Sequence, residues 1–226
     1  MTAKKAFIWD LDGTLLDSYE IIVSSLCELF AERGIALDPE EVHGHAIRSS
    51  VSDYLHEMEE KTGLRFEDMK ARYQEISGGK KLEIRPFPES VPVLARLAEQ
   101  GCEHFVFTHR GRTTLPVLGN TGLAPFFREV VSMEDGFPRK PAPDALLYLI
   151  GKYGLDPAST FYVGDRTLDM DCAKNAGIRG VLFLPEGSFC EPNGSEERVI
   201  RELWELTEEG AGRLDNKRGF ARTIES

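Results

Sequence analysis

Five short apolar runs, at residues 6–9, 104–108, 129–132, 160–163 and 180–184, do most to limit how this chain can fold. Each is rich in Phe, Val, Ile or Leu and too short for a stable helix. Before each later run, apolar residues recur at helical spacing, at 90–99, 114–118, 144–153 and 168–176. Strands alternating with helices predict an α/β fold: one parallel sheet covered on both faces.

That rhythm breaks once. From Tyr19 to about Tyr73 there is no strand signal, and Ile21, Ile22, Leu26, Leu29 and Phe30 follow a helical period until Gly34 closes the segment. Further helix is expected at 51–58 and 66–73. The stretch 17–84 therefore reads as an inserted helical subdomain, leaving 1–16 and 85–207 as the core. Ser77-Gly78-Gly79 and Pro86-Phe87-Pro88 punctuate the return. A last helix at 196–206 and a frayed tail at 208–226 complete the expectation.

A formal charge of −11 disfavours nucleic acid as a partner, because phosphate backbones are captured by basic surfaces. No apolar run reaches the roughly 18 residues of a membrane span, and residues 1–5 lead into a strand-like run rather than a signal peptide. The expectation is a cytoplasmic protein, monomer or homodimer, acting on a small molecule. The cysteines Cys27, Cys102, Cys172 and Cys190 lie far apart with no metal-binding spacing, as suits free thiols.

The first apolar run ends abruptly in Asp10-Leu11-Asp12-Gly13-Thr14. Two carboxylates one residue apart on a tight glycine path repel each other unless a cation sits between them. Mg²⁺ suits such a pair, since it takes a few carboxylates plus water and substrate phosphate oxygens. A carboxylate can also attack phosphorus while a neighbour moves protons. Alone, the same residues serve equally well as a turn or helix cap. Three later features change the weighing, because each follows a predicted strand. Thr108 offers a hydroxyl to a phosphoryl oxygen, Lys140 a charge to neutralise phosphate, and Asp165 and Asp169 an i, i+4 acid pair at a helix start.

The order Asp10-x-Asp12-Gly13-Thr14, Thr108, Lys140, Gly164-Asp165-x₃-Asp169 resembles the motifs of the haloacid dehalogenase superfamily over nearly the whole chain. The helical insertion is similar to the C1 cap of its subfamily I, which includes phosphoglycolate phosphatases and β-phosphoglucomutases. The resemblance implies a Rossmann-like core. It also implies a Mg²⁺-dependent phosphatase acting on a small phosphorylated metabolite through an aspartyl-phosphate. Asp10 would be the nucleophile and Asp12 the general acid/base. Thr108 and Lys140 would form the phosphate site, and Asp10, Asp12, Asp165 and Asp169 would hold or support the metal. Asp12 argues against carbon–halogen and carbon–phosphorus cleavage, whose enzymes lack an aspartate there. A phosphomutase shares every motif residue and is the alternative activity; a non-catalytic binding protein is the third reading.

Substrate contacts are expected from Thr14, from His109 and Arg110 just after Thr108, and from Arg48. His109 and Arg110 replace the Asn or small residue of many relatives, and can face substrate or pair with acids around the site. Arg48, with His43 and His45, falls between predicted helices where a cap loop can dip toward the core. Its guanidinium is suited to a substrate carboxylate or a second phosphate.

Overall fold

A computed structural model describes residues 4–207; the tail expected at 208–226 lies outside them. Strand β1 (Ala6–Trp9) leads into β2 (Leu16–Asp17) and four helices, α1 (Tyr19–Ala31), α2 (Pro39–Arg48), α3 (Val51–Thr62) and α4 (Phe66–Gly79). The chain returns through β3 (Arg85–Pro86), α5 (Ser90–Glu99), β4 (Glu103–Phe107), α6 (Thr114–Asn120) and β5 (Glu129–Val131). It ends with α7 (Asp144–Tyr153), β6 (Thr160–Gly164), α8 (Thr167–Ala176), β7 (Arg179–Phe183) and β8 (Arg198–Ile200). No described helix is long and apolar enough to cross a membrane.

Six strands form a parallel sheet in the order β5-β4-β1-β6-β7-β8, with β1 between β4 and β6. Side chains of β1 alternate between its faces. Phe7 and Trp9 join a core with Val93, Leu94, Val117 and Leu118 of α5 and α6, while Ala6 and Ile8 pack with Leu146, Leu149, Cys172 and Ala173 of α7 and α8. Both faces are thus covered, which is why these strands read as apolar runs rather than as alternating ones.

The helices α1 to α4 share a separate apolar core centred on Leu26, Leu29, Phe30, Leu55 and Met69. Where this block leaves and rejoins the core, β2 and β3 pair antiparallel, Leu16 with Pro86 and Asp17 with Arg85. Two-residue strands are too short to give a periodic signal in the sequence.

Two expectations fail. Residues 196–206 form strand β8 and a 3-10 turn at Leu203–Leu206, not a helix. The open edge of β7 decides this: Val199 and Ile200 pair with Leu182 and Phe183, and the Leu184 N–H donates to the Ile200 carbonyl at 2.9 Å. The loop expected around His43, His45 and Arg48 is helix α2. Asp38 caps it by accepting from the Glu40 N–H at 2.9 Å, Pro39 supplies the first turn, and Val42, Ala46 and Ile47 are buried. Two histidines and Gly44 within ten residues give weak helix propensity, which hid the element.

Candidate active site

The sheet topology brings four loops together. Asp10 follows β1, Thr108 follows β4, Lys140 lies beyond β5, and Asp165 follows β6, so all sit at the carboxyl ends of adjacent parallel strands. Asp10 is buried at 3% exposure, and its N–H donates to the Val163 carbonyl at 2.9 Å, which ties the loop to β6.

Lys140, fully buried at its side chain, donates from Nζ to Asp10 Oδ1 at 2.8 Å and to Asp169 Oδ1 at 2.7 Å. The same Nζ lies 5.0 Å from the Phe107 ring centre and 5.2 Å from that of Tyr162. Oxygen atoms of Asp10, Asp165 and Asp169 come within 4.8 Å of one another. Burial pushes Asp10 up to about 6 against the pull of Lys140, with Asp169 adding repulsion. Burial lifts Asp165 further, to about 7, against Arg166, with Asp169 and Asp10 again repelling. Such crowding of buried carboxylates is what a divalent cation relieves, and oxygen donors of this kind suit a hard ion. Asp169 is the least available of the three. Its Oδ1 also accepts from the Tyr162 hydroxyl at 3.2 Å, and its Oδ2 accepts from the Arg166 N–H at 3.2 Å.

Close packing makes two glycines obligatory. Gly13 has φ +80°, and a Cβ there would stand 2.3 Å from Asp165 Oδ2. At Gly164 a Cβ would meet the Asp169 side chain at 2.4 Å.

Asp12 has the opposite electrostatics from Asp10. Ser18 donates its hydroxyl to Asp12 Oδ1 at 2.6 Å, and Arg110 grips the carboxylate two ways, through Nη2 to Oδ1 and through Nε to Oδ2 at 3.1 Å. Burial opposes ionisation of Asp12, but the Arg110 guanidinium outweighs it and holds the carboxyl below its usual range. Of the two roles open to Arg110, the structure thus has it pairing with an acid at the site. His109 accepts the Lys140 N–H on Nε2 at 2.9 Å, so it pins the lysine loop. Burial, with Lys140 and Arg139 adding repulsion, pushes its imidazole down to about 3 and keeps it neutral. Thr108 is 1% exposed, and its hydroxyl oxygen accepts from the Arg110 N–H at 3.1 Å. Thr14 is buried and donates to Asp165 Oδ1 at 3.2 Å, so it orients an acid where a substrate contact was expected.

Arg48 stands apart from this group. It is exposed on the last turn of α2, with its guanidinium over Gly44, where a Cβ would meet Nη1 at 3.0 Å. His45 faces Glu57 at 3.5 Å within the helical block. Two residues overlooked in the sequence take part instead. Tyr19, the first residue of α1, donates its hydroxyl to Asp165 Oδ2 at 2.7 Å. Arg166 reaches from the core to the Ser49 carbonyl between α2 and α3 at 3.0 Å. Beside Asp165 opens a cavity of about 700 Å³, walled by Gly13 and Tyr19, by α1 and α2, and by the core loop at 185–188.

A doubly covered parallel sheet, with acids and a buried lysine gathered at its carboxyl edge under a helical insertion, defines a class of α/β protein with an acidic, cation-suited site. The chain belongs to the haloacid dehalogenase-like hydrolase family, whose model matches residues 7–183. It is 26% identical over 193 residues to a phosphoglycolate phosphatase of Pectobacterium atrosepticum, covering 80% of each chain. It is 30% identical over 200 residues to the pyrophosphatase PpaX of Bacillus velezensis, covering 83% of this chain and 88% of that one. Its fold matches the crystal structure described as a predicted phosphoglycolate phosphatase from Haemophilus somnus, with TM-score 0.78 and 23% identity, over 91% of this chain and 97% of the other.

Proposed function

We propose that the protein is a Mg²⁺-dependent phosphatase that hydrolyses a small phosphomonoester through an aspartyl-phosphate on Asp10. The observation that carries this reading is the contact of Lys140 Nζ with Asp10 in a cluster of three buried acids. A nucleophile for phosphorus must stay ionised although buried, and a fixed cation beside it does that. The phosphatases among the chain's relatives support the reaction class.

Asp10, Asp165 and the backbone carbonyl of Asp12 would hold the metal, with Asp169 supporting them. When bound, Mg²⁺ supplies positive charge to the phosphoryl oxygens and lowers the repulsion between phosphate and carboxylate. The remaining work belongs to the chain. Asp10 attacks phosphorus, and the ester oxygen leaves with a proton from Asp12. Asp12, ionised again, then takes a proton from the water that attacks the aspartyl-phosphate, and phosphate departs. Lys140 and the Thr108 hydroxyl stabilise the phosphoryl oxygens in both steps. Donation by Asp12 requires Arg110 to release it, so substrate entry and the Arg110 ion pair are linked in this scheme.

Release of phosphate from a panel of sugar, polyol and organic-acid phosphates, with and without Mg²⁺, tests the proposal. Metal-dependent phosphate release supports it. Accumulation of an isomerised sugar phosphate without free phosphate would overturn it in favour of a phosphomutase.

A further inference from the structure

Two consecutive hydroxyls bind the start of the helical block to the catalytic loops. Ser18 stands at the cap position of α1, yet its side chain does not cap the helix and donates instead to Asp12 Oδ1 at 2.6 Å. Tyr19, the first residue of α1, donates to Asp165 Oδ2 at 2.7 Å. The other oxygen of that carboxylate, Oδ1, accepts from the Thr14 hydroxyl at 3.2 Å. Asp12 and Asp165 both have a task in the proposed hydrolysis, whereas Tyr19 has none.

Packing around the ring holds the Tyr19 hydroxyl in place. One neighbour is Gly13, where a Cβ would stand 2.4 Å from Tyr19 Cε2 and 2.3 Å from Asp165 Oδ2, so ring and carboxylate crowd the same point of the loop. Another is His43 of α2, with its ring centre 5.2 Å away and itself backed by Phe189 at 5.0 Å. The Asp165 carboxylate therefore has little freedom to turn: each oxygen has a donor, and Gly13 closes the space beside Oδ2. Asp165 is also one of the three buried acids whose oxygens lie within 4.8 Å of one another, a group suited to a divalent cation. Hydrogen bonds that orient a metal-binding carboxylate raise metal affinity, because the ligand is already turned toward the ion. Rigidity also discriminates between ions. Mg²⁺ demands near-ideal octahedral geometry, whereas Ca²⁺ accepts more ligands in looser arrangements.

We infer that Tyr19 is a positioning residue for the metal: from the first turn of α1 its hydroxyl fixes the Asp165 carboxylate, which raises affinity for Mg²⁺ and favours it over Ca²⁺. This role rests on the metal site of the proposed function and adds to it a residue of the helical block. Cation selectivity then depends on how that block is seated on the core.

Calorimetric titration of the substrate-free protein with Mg²⁺, and separately with Ca²⁺, tests this without relying on turnover. Melting temperatures in EDTA show that each variant is folded. Tyr19→Phe keeps the ring and removes the hydroxyl. Its Kd for Mg²⁺ should rise about tenfold or more, and its Kd for Ca²⁺ by a smaller factor, so that the preference for Mg²⁺ narrows. His43→Ala removes a support of the ring and leaves the hydroxyl, so its loss of Mg²⁺ affinity should be smaller than that of Tyr19→Phe. An unchanged Mg²⁺ Kd in Tyr19→Phe, or an equal factor for both ions, would overturn the inference. A larger loss in His43→Ala than in Tyr19→Phe would do the same, by showing that packing rather than the hydroxyl sets the affinity. Each of these outcomes leaves the phosphatase reading standing. No Mg²⁺ binding by the unmodified protein would instead remove the metal from the proposed function, and the role of Tyr19 with it.

Discussion

Asp10 and Asp12 lie two positions apart and live in different electrostatic surroundings. Asp10 is pushed up by burial among other acids and kept in check by Lys140, whereas Asp12 is held down by Arg110. The spacing of the motif gives the loop but not this division, because Lys140 and Arg110 reach it from 130 and 98 residues away. The acids and Lys140 were legible because each follows a strand that announces itself. Tyr19 and Arg166 were not, since nothing local marks a helix-start tyrosine or an arginine beside a motif aspartate as a tertiary contact. Arg48 misled for the same reason: its chemistry fits an anion, but α2 directs it to solvent. Gly164 is one of two positions here that admit no side chain. A Gly164→Ala methyl would collide with Asp169 and unseat the acid that shares Lys140 with Asp10. We expect a loss of about 1–3 kcal/mol in urea unfolding and at least a tenfold fall in kcat. Unchanged kcat would contradict the placement of Asp169.

Among the elements, the parallel sheet was readable to within a residue or two because its strands are buried on both faces. Strand β8 and helix α2 were not. β8 owes its conformation to an unpaired edge of β7, which has no local signature, and α2 owes its own to a cap and three buried apolar side chains that outweigh its composition. The contact of Arg166 with the Ser49 carbonyl joins core to helical block at the α2–α3 junction, where Ser50 and Asp53 also cap α3 reciprocally at 3.1 and 3.0 Å. Arg166→Gln should therefore loosen that junction. Limited proteolysis near residues 49–51 should proceed faster in the variant than in the unmodified protein, and equal rates would show that the contact does not restrain the block.

For the whole molecule, the sheet core carries a pH-sensitive group of its own. His104 is 2% exposed and accepts a hydrogen bond on Nδ1 from the Trp9 indole at 3.1 Å. Burial depresses its pKa from 6.5 to about 4, so the unfolded chain binds a proton more readily than the folded one. The stability due to the neutral ring is complete above about pH 6.5 and is lost as pH falls toward 4, by up to about 3 kcal/mol. His104→Asn keeps an acceptor but cannot titrate in this range. Its unfolding free energy should be lower at neutral pH and fall less steeply with acid; parallel curves for the two proteins would contradict this.

The proposed hydrolysis begins with Asp10 as the attacking group. The most direct measurement is Mg²⁺-dependent phosphate release from a panel of sugar, polyol and organic-acid phosphates by the unmodified protein and by Asp10→Asn, with equal folding checked by circular dichroism. The asparagine keeps the shape of the side chain and removes the charge that attacks phosphorus and meets Lys140. Metal-dependent release by the former and a rate indistinguishable from the enzyme-free control by the latter are expected. Comparable release by both proteins would contradict Asp10 as the nucleophile.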